Sequence, residues 1–128
     1  AQAFGALIRE SPAAFTQWMI SLDFALGPSS EVVIAGEPEA PETLAMLRAL
    51  RAGFLPNKIV LLRPSGVGGA EISRLSAYVE SISSAQGKAT AYVCHNYRCD
   101  RPTADPQEML RLLRGAMPST GNATAGKV

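Results

Sequence analysis

Three short apolar runs, each separated from the next by enough chain for a helix, constrain this protein more than any other feature. They are Glu31-Val32-Val33-Ile34-Ala35, Ile59-Val60-Leu61-Leu62 and Ala89-Thr90-Ala91-Tyr92-Val93. The first two are continuous and rich in β-branched or leucine side chains. A strand wet on one face alternates apolar with polar residues, whereas a continuous run is expected where both faces are covered.

The intervening stretches have helical spacing. Pro41 and Glu42 open a helix whose Leu44, Leu47, Leu50 and Phe54 form one apolar stripe. Arg48 and Arg51 suit its C-terminal dipole, and Gly53 is its expected stop. Ser65-Gly66-Val67-Gly68-Gly69 reads as a flexible connection, followed by a helix with Ile72, Leu75, Val79 and Ile82 on one face. Gly87 precedes the third run, and the chain then returns across Asn96 and Tyr97. Asp105-Pro106-Gln107-Glu108 is a capping box with proline at the first helical position; Met109, Leu110, Leu112 and Leu113 give that helix its buried face.

The order after Ser30 is β-α-β-α-β-(β)-α, which defines the class as α/β. Helix-length crossovers favour parallel neighbours. The expectation is a small, mainly parallel, Rossmann-like sheet. A thioredoxin-like arrangement has the same element order, with the third and fourth strands antiparallel, and stands as the alternative.

Residues 1–27 read as a separate helical pair. Phe4, Leu7 and Ile8 share one face of the first helix, from Ala3 to Arg9. Ser11-Pro12 caps and opens the second, which carries Phe15, Trp18, Met19, Leu22 and Leu26 and stops at Gly27-Pro28. That stripe is the expectation for core packing rather than cofactor contact. Residues 28–116 form the α/β unit, and 117–128, small and polar, are expected to be disordered. The chain starts at Ala1 with helical sequence at once, as expected of a piece of a longer protein.

At 128 residues there is chain for one sizeable core, and 47% hydrophobic with 18% charged residues suits a folded domain. A net charge of +1 gives no field that would draw nucleic acid or an anionic membrane. No apolar run approaches the roughly 20 residues of a membrane span, and Arg9 and Glu10 interrupt the only early apolar stretch. Two cysteines are too few for a disulfide scaffold, so a reducing cytoplasm is the expected setting.

Ligands of open α/β sheets bind at the carboxyl ends of the strands. That edge places Glu37, Glu39, Arg63 and Gly66 together as ligand candidates. Glu71 occupies the position of the third glycine in a dinucleotide fingerprint, and the loop after the first strand is acidic, so phosphate binding is not expected. Glu37 and Glu39 are the only paired carboxylates at that edge; glutamates in a proline-flanked loop are ordinarily solvated. No Gly-x-Ser-x-Gly elbow occurs.

The rare residues gather in one place: Cys94, the single His95 and Cys99. The spacing is not the Cys-x-x-Cys of thiol oxidoreductases. A hairpin pairing Cys94 with Cys99 places their Cα atoms about 4.5–5.5 Å apart, within disulfide range. A register turning on His95-Asn96 instead opposes Cys94 to Tyr97 and separates the thiols. Free structural thiols are the expectation, with a redox pair as the alternative. Zinc lacks a fourth ligand, so neither metal nor other cofactor is expected.

Three segments carry a family resemblance: Glu31 to Pro38, Phe54-Leu55-Pro56-Asn57-Lys58-Ile59-Val60-Leu61-Leu62, and Ala91-Tyr92-Val93-Cys94-His95-Asn96-Tyr97-Arg98-Cys99 continuing through Pro102 to Asp105-Pro106. From about Phe4 to about Leu113 the chain resembles the C-terminal region of the thioredoxin-domain-containing proteins related to spermatogenesis-associated protein 20. The resemblance implies a parent with an N-terminal thioredoxin-like domain and an (α/α) barrel similar to those of N-acylglucosamine 2-epimerases and six-hairpin glycosidases. The first two helices would then be barrel-end helices, the partners of this unit would be the barrel and the thioredoxin-like domain, and the family's redox motif would lie outside this chain. It assigns no role to Cys94 or Cys99. The expected function is a structural or interacting module rather than a catalyst.

Overall fold

The computed structural model describes residues 4–96 and 98–115, with the Leu75 side chain set aside. Ala3, Tyr97 and the tail expected over 117–128 lie outside the described residues. Two N-terminal helices, α1 (Gly5–Glu10) and α2 (Thr16–Leu26), are joined by a 3-10 turn at Pro12–Phe15. Then follow β1 (Ser30–Ala35), α3 (Pro41–Ala52), β2 (Lys58–Arg63) and α4 (Gly66–Leu75). A second 3-10 turn (Ala77–Ser81) leads to β3 (Thr90–His95), β4 (Arg98–Cys99) and α5 (Pro106–Gly115).

The class is α/β, but the sheet is mixed rather than mainly parallel. Its order is β2-β1-β3-β4. Only β1 and β2 are parallel, with Val32 opposite Val60; β3 runs against β1, with Val32 opposite Val93, and β4 runs against β3. The Rossmann-like expectation needs a parallel third strand and is corrected. The antiparallel β3–β4 pair is the feature that distinguished the alternative arrangement.

The reason lies in the crossover. A helix leading straight from β2 into β3 would deliver the chain to the starting edge of the sheet. Here α4 ends at Ser76, and the chain turns twice more, at Ala77–Ser81 and at Ala85–Lys88. In the second turn Gln86 and Gly87 both have positive φ, 52° and 73°, and the Lys88 N–H donates to the Ala85 carbonyl. Thr90 Oγ1 accepts from the Ala85 N–H and donates to the Lys88 carbonyl, which pins the turn. β3 therefore starts beside Ala35, where β1 ends.

β1 is the central strand, and its continuous apolar run serves two cores. Val32 and Ile34 pack with Ala91 and Val93 under Met46 and Leu50 of α3 and Met109 and Leu113 of α5. Val33 and Ala35 face the other way, against Val79 and Ile82. Burying each of these larger side chains stabilises the fold by roughly 1.5–3 kcal/mol. Gly36 sits where β1, α3 and β3 converge: a Cβ there would come 2.6 Å from Thr43 Oγ1 and 3.0 Å from Ala89 Cβ.

Several details differ from the sequence reading. β2 is an edge strand with no buried residue. The buried stripe of α3 is Thr43, Met46 and Leu50; Phe54 lies beyond the helix and is 91% exposed. Gly66 to Gly69 form the first turn of α4 rather than a flexible connection, and a Cβ on Gly69 would collide with the Pro64 carbonyl oxygen. Val79 reaches the core from a 3-10 turn, and Ile82 follows it, rather than both extending the preceding helix.

The last helix is capped as the sequence indicates, by half. Asp105 Oδ1 accepts the Gln107 N–H at 2.9 Å. Glu108 does not close the box; it pairs with Arg111 through two 2.6 Å contacts, while the Asp105 N–H donates to Thr103 Oγ1.

Candidate functional site

Two places hold the candidate residues, at opposite ends of the sheet. Cys94 lies opposite Glu31, near the start of β1, while Thr90 lies opposite Ala35 at its end. The two positions are four residue steps apart along the strand, roughly 13 Å.

At the starting end, β3 and β4 oppose Cys94 to Cys99 and His95 to Arg98. After His95, Asn96 has φ 48°, a left-handed conformation that asparagine tolerates in hairpin turns. The Asp100 N–H donates to the Val93 carbonyl, so Cys94 and Cys99 form a non-hydrogen-bonded pair, the closer kind. Their Cα atoms are 3.9 Å apart and the sulfurs are bonded. The expectation of free thiols is corrected, and of the two registers the one turning on His95-Asn96 is not the one formed: His95 ends β3. In the bonded state neither sulfur is a thiolate able to ligate a metal.

Strand alternation sends Cys94 and His95 to opposite faces. Cys94, 2% exposed, shares a small hollow of about 140 Å³ with Cys99, Glu31 and Tyr78. Burial, and then the neighbouring Glu31 carboxylate, push the Tyr78 hydroxyl up to about 12, so it stays protonated. On the other face His95 sits near Asp100, Arg111 and the end of α5. Its Nε2 is 3.8 Å from Asp100 Oδ2, an electrostatic neighbour rather than a hydrogen bond, and both ring nitrogens are buried without a partner among the described residues. Glu31, Tyr78, Asp100 and Arg111 were not singled out from sequence. Their proximity depends on the β1–β3 register and on where α5 and the Ala77–Ser81 turn pack, which no local pattern encodes.

At the finishing end, parallel pairing brings Ala35 beside Arg63, and the Gly36 N–H donates to the Arg63 carbonyl. Glu37 Oε1 accepts the Ser65 N–H at 3.0 Å. Ser65 is the N-cap residue of α4, so a carboxylate already occupies the donor end of that helix. Hydrogen bonds from Ser65 hold the Glu37 carboxyl below the usual range. Arg63 Nη2 donates to the Glu80 carbonyl at 3.2 Å, and its buried Nε has no partner among the described residues. Glu37, Arg63 and Gly66 are thus brought to one edge, while Glu39 is an exposed loop residue with no hydrogen bond to this cluster. Among the described residues no group of three or more metal-ligating side chains converges, and no helix is long and apolar enough to cross a membrane.

Comparison with curated proteins decides the relationship. The chain is 30% identical over 111 residues to mouse and human spermatogenesis-associated protein 20, and 29% identical to the rat protein. This chain is related to the spermatogenesis-associated protein 20 family. The match covers 87% of the chain but only 14% of the length of those relatives. No protein-family model and no solved structure matches the chain.

Proposed function

We propose that this chain is a non-catalytic α/β module whose N-terminal helices pack against the remainder of a larger protein of the family. One observation carries the reading: α2 is apolar around most of its circumference yet has no buried residue. Trp18, Met19, Ile20, Leu22, Phe24 and Leu26 spread around the helix, whereas a helix lying on its own domain is apolar on one side. Eleven residues span about 16 Å, too short for a bilayer, so protein is the occupant that fits. The relatives supply it in length, since the matched region is 14% of theirs.

On this reading residues 1–27 belong to the end of a helical barrel and 28–116 to the module. Any redox or carbohydrate-related chemistry would reside in the thioredoxin-like domain and barrel implied by the resemblance, and the setting would be cytoplasmic. The test compares amide hydrogen exchange over α1 and α2 in this chain with the equivalent stretch of a full-length relative. Fast exchange in the chain and strong protection in the full-length protein are expected. Equal exchange in both, or full protection in the chain by itself, rejects the proposal.

The bonded cysteine pair favours a second reading, a redox-responsive hairpin. Cys99 is exposed and Cys94 is buried, so an external dithiol would attack the Cys99 sulfur and release the Cys94 thiolate. The second external thiol would resolve the mixed disulfide, leaving two cysteine thiols and an oxidised reagent. In a reducing cytoplasm such a pair would cycle rather than persist. Thiol counting decides it: no free thiols under mild oxidant and two after reduction are expected, and two free thiols under oxidant sink the idea. Ligand binding at Glu37, Arg63 and Gly66 is the third reading, checked by thermal stabilisation across nucleotides and sugar phosphates.

A further inference from the structure

Among the described residues, free backbone groups, an apolar groove and unpaired cations coincide at the β2 edge of the sheet. Among those residues β2 pairs only with β1. The carbonyls of Asn57 and Arg63 point to the β1 side, where Ser30 and Gly36 donate to them. By the period of two, the N–H and C=O groups of Lys58, Val60 and Leu62 point outward. These same three residues line a groove of about 460 Å³ with Leu47, Leu50 and Arg51 of α3. One row of residues therefore offers both a hydrogen-bonding ladder and side chains for the occupant to cover.

The ends of the groove differ in charge. Arg51 closes α3 and Lys58 opens β2, so both cations lie at the same end. Lys58 Nζ donates once, to the Leu55 carbonyl at 3.0 Å, which leaves two N–H groups free. Neither cation forms an ion pair among the described residues. A second copy of β2 is a poor occupant. Lys58–Arg63 contains two cations and no carboxylate, so a second copy brings nothing acidic to Arg51 and Lys58.

We infer that the β2 edge takes up an extended peptide strand with a carboxylate placed beside Arg51 and Lys58 and apolar residues at alternate positions over Leu47, Val60 and Leu62. Backbone pairing supplies the ladder, the groove selects apolar side chains on one face, and the cations select an acidic end. No residue lining this groove belongs to α1 or α2, so its failure and theirs are distinguishable.

The probe is a blocked synthetic peptide, Asp-Thr-Val-Thr-Val-Thr-Asp, whose acidic and apolar residues share one face whichever way it runs. The control is Lys-Thr-Val-Thr-Val-Thr-Lys. The acidic peptide is expected to bind the chain saturably and about tenfold or more tighter than the basic one, as one or two partly shielded ion pairs would give. Binding should slow amide exchange at Lys58, Val60 and Leu62 but not at Ile59 and Leu61, whose N–H groups already serve the sheet. Combined Arg51→Glu and Lys58→Glu changes, the first at an exposed and the second at a half-buried position, should invert the peptide preference. No saturable binding, equal affinity for the two peptides, protection without alternation, or a dimer of the chain formed through β2 would each overturn the inference.

Discussion

Gly5–Leu26 is richer in apolar residues than Ser30–Gly115, 13 of 22 against 39 of 86, yet it buries fewer of them. In the sheet unit the apolar residues are one-sided on α5 and two-sided on β1, each matching a neighbour, and Val32, Val33 and Ile34 lose all contact with water. In the N-terminal segment the apolar residues are spread around α2, and Phe4 and Leu7 remain about half exposed, at 52% and 51%. A helix can be covered by one sheet face on one side only, so an all-round apolar helix finds too little partner in a unit of this size. Apolar content measures how much surface wants to be covered; patterning decides whether the same domain can cover it.

The sharpest way to break this contrast is truncation in each region. Met109→Ala, beneath the sheet, is expected to cost about 2–5 kcal/mol in urea unfolding. Ile20→Ala, on α2, should stay within about 0.5 kcal/mol. Comparable losses at the two sites would show that α1 and α2 are part of the same cooperative core.

Reducing the Cys94–Cys99 bond is the next largest effect. The closed loop is short, so chain entropy gives about 2 kcal/mol, measured as the shift in unfolding free energy with and without a dithiol. The loss should be confined to the hairpin end, leaving exchange at β1 and β2 nearly unchanged at low denaturant. Below that comes Asp105→Ala, which removes the bond to the Gln107 N–H and is expected to cost about 1 kcal/mol while loosening α5 first. Neither change should alter α1 or α2 if the two regions are independent.

The smallest effect is electrostatic. Glu37 has its carboxyl held below the ordinary value by Ser65, so its contribution is present above the unfolded-state pKa and is lost as pH falls through the folded one. Glu108, held down by Arg111, has the same sign. Glu37→Gln should therefore narrow the stability difference between neutral and acidic pH, seen as a flatter acid limb in thermal melts. An unchanged acid limb would show that the Ser65 contact contributes nothing in solution.

Much of the sheet unit was legible from sequence because its signals are local. The β-branched run of β1, proline at the start of α3, and Asp105-Pro106 before α5 each declare an element through the residues that form it. The hairpin was legible as two alternatives, and the structure selects the one that opposes Cys94 to Cys99. What was misread depends on partners distant in sequence. β2 reads as buried because leucine and valine fill it, and only its place at the edge leaves Ile59 41% exposed. Gly66 to Gly69 read as a loop because glycine disfavours helices, but close packing on Pro64 leaves no room for a side chain at Gly69.

The sequence by itself determined the α/β class, the order of elements and the gathering of Cys94, His95 and Cys99, since periodicity and capping act within a few residues. The tertiary structure decided the direction of β3, the bonding of Cys94 to Cys99, the meeting of Glu31 and Tyr78 beside that bond, and the free edge of β2. Each of those depends on strand register or on which faces are left over after packing. Such quantities are set by contacts between residues far apart in the chain, where no local pattern carries the information.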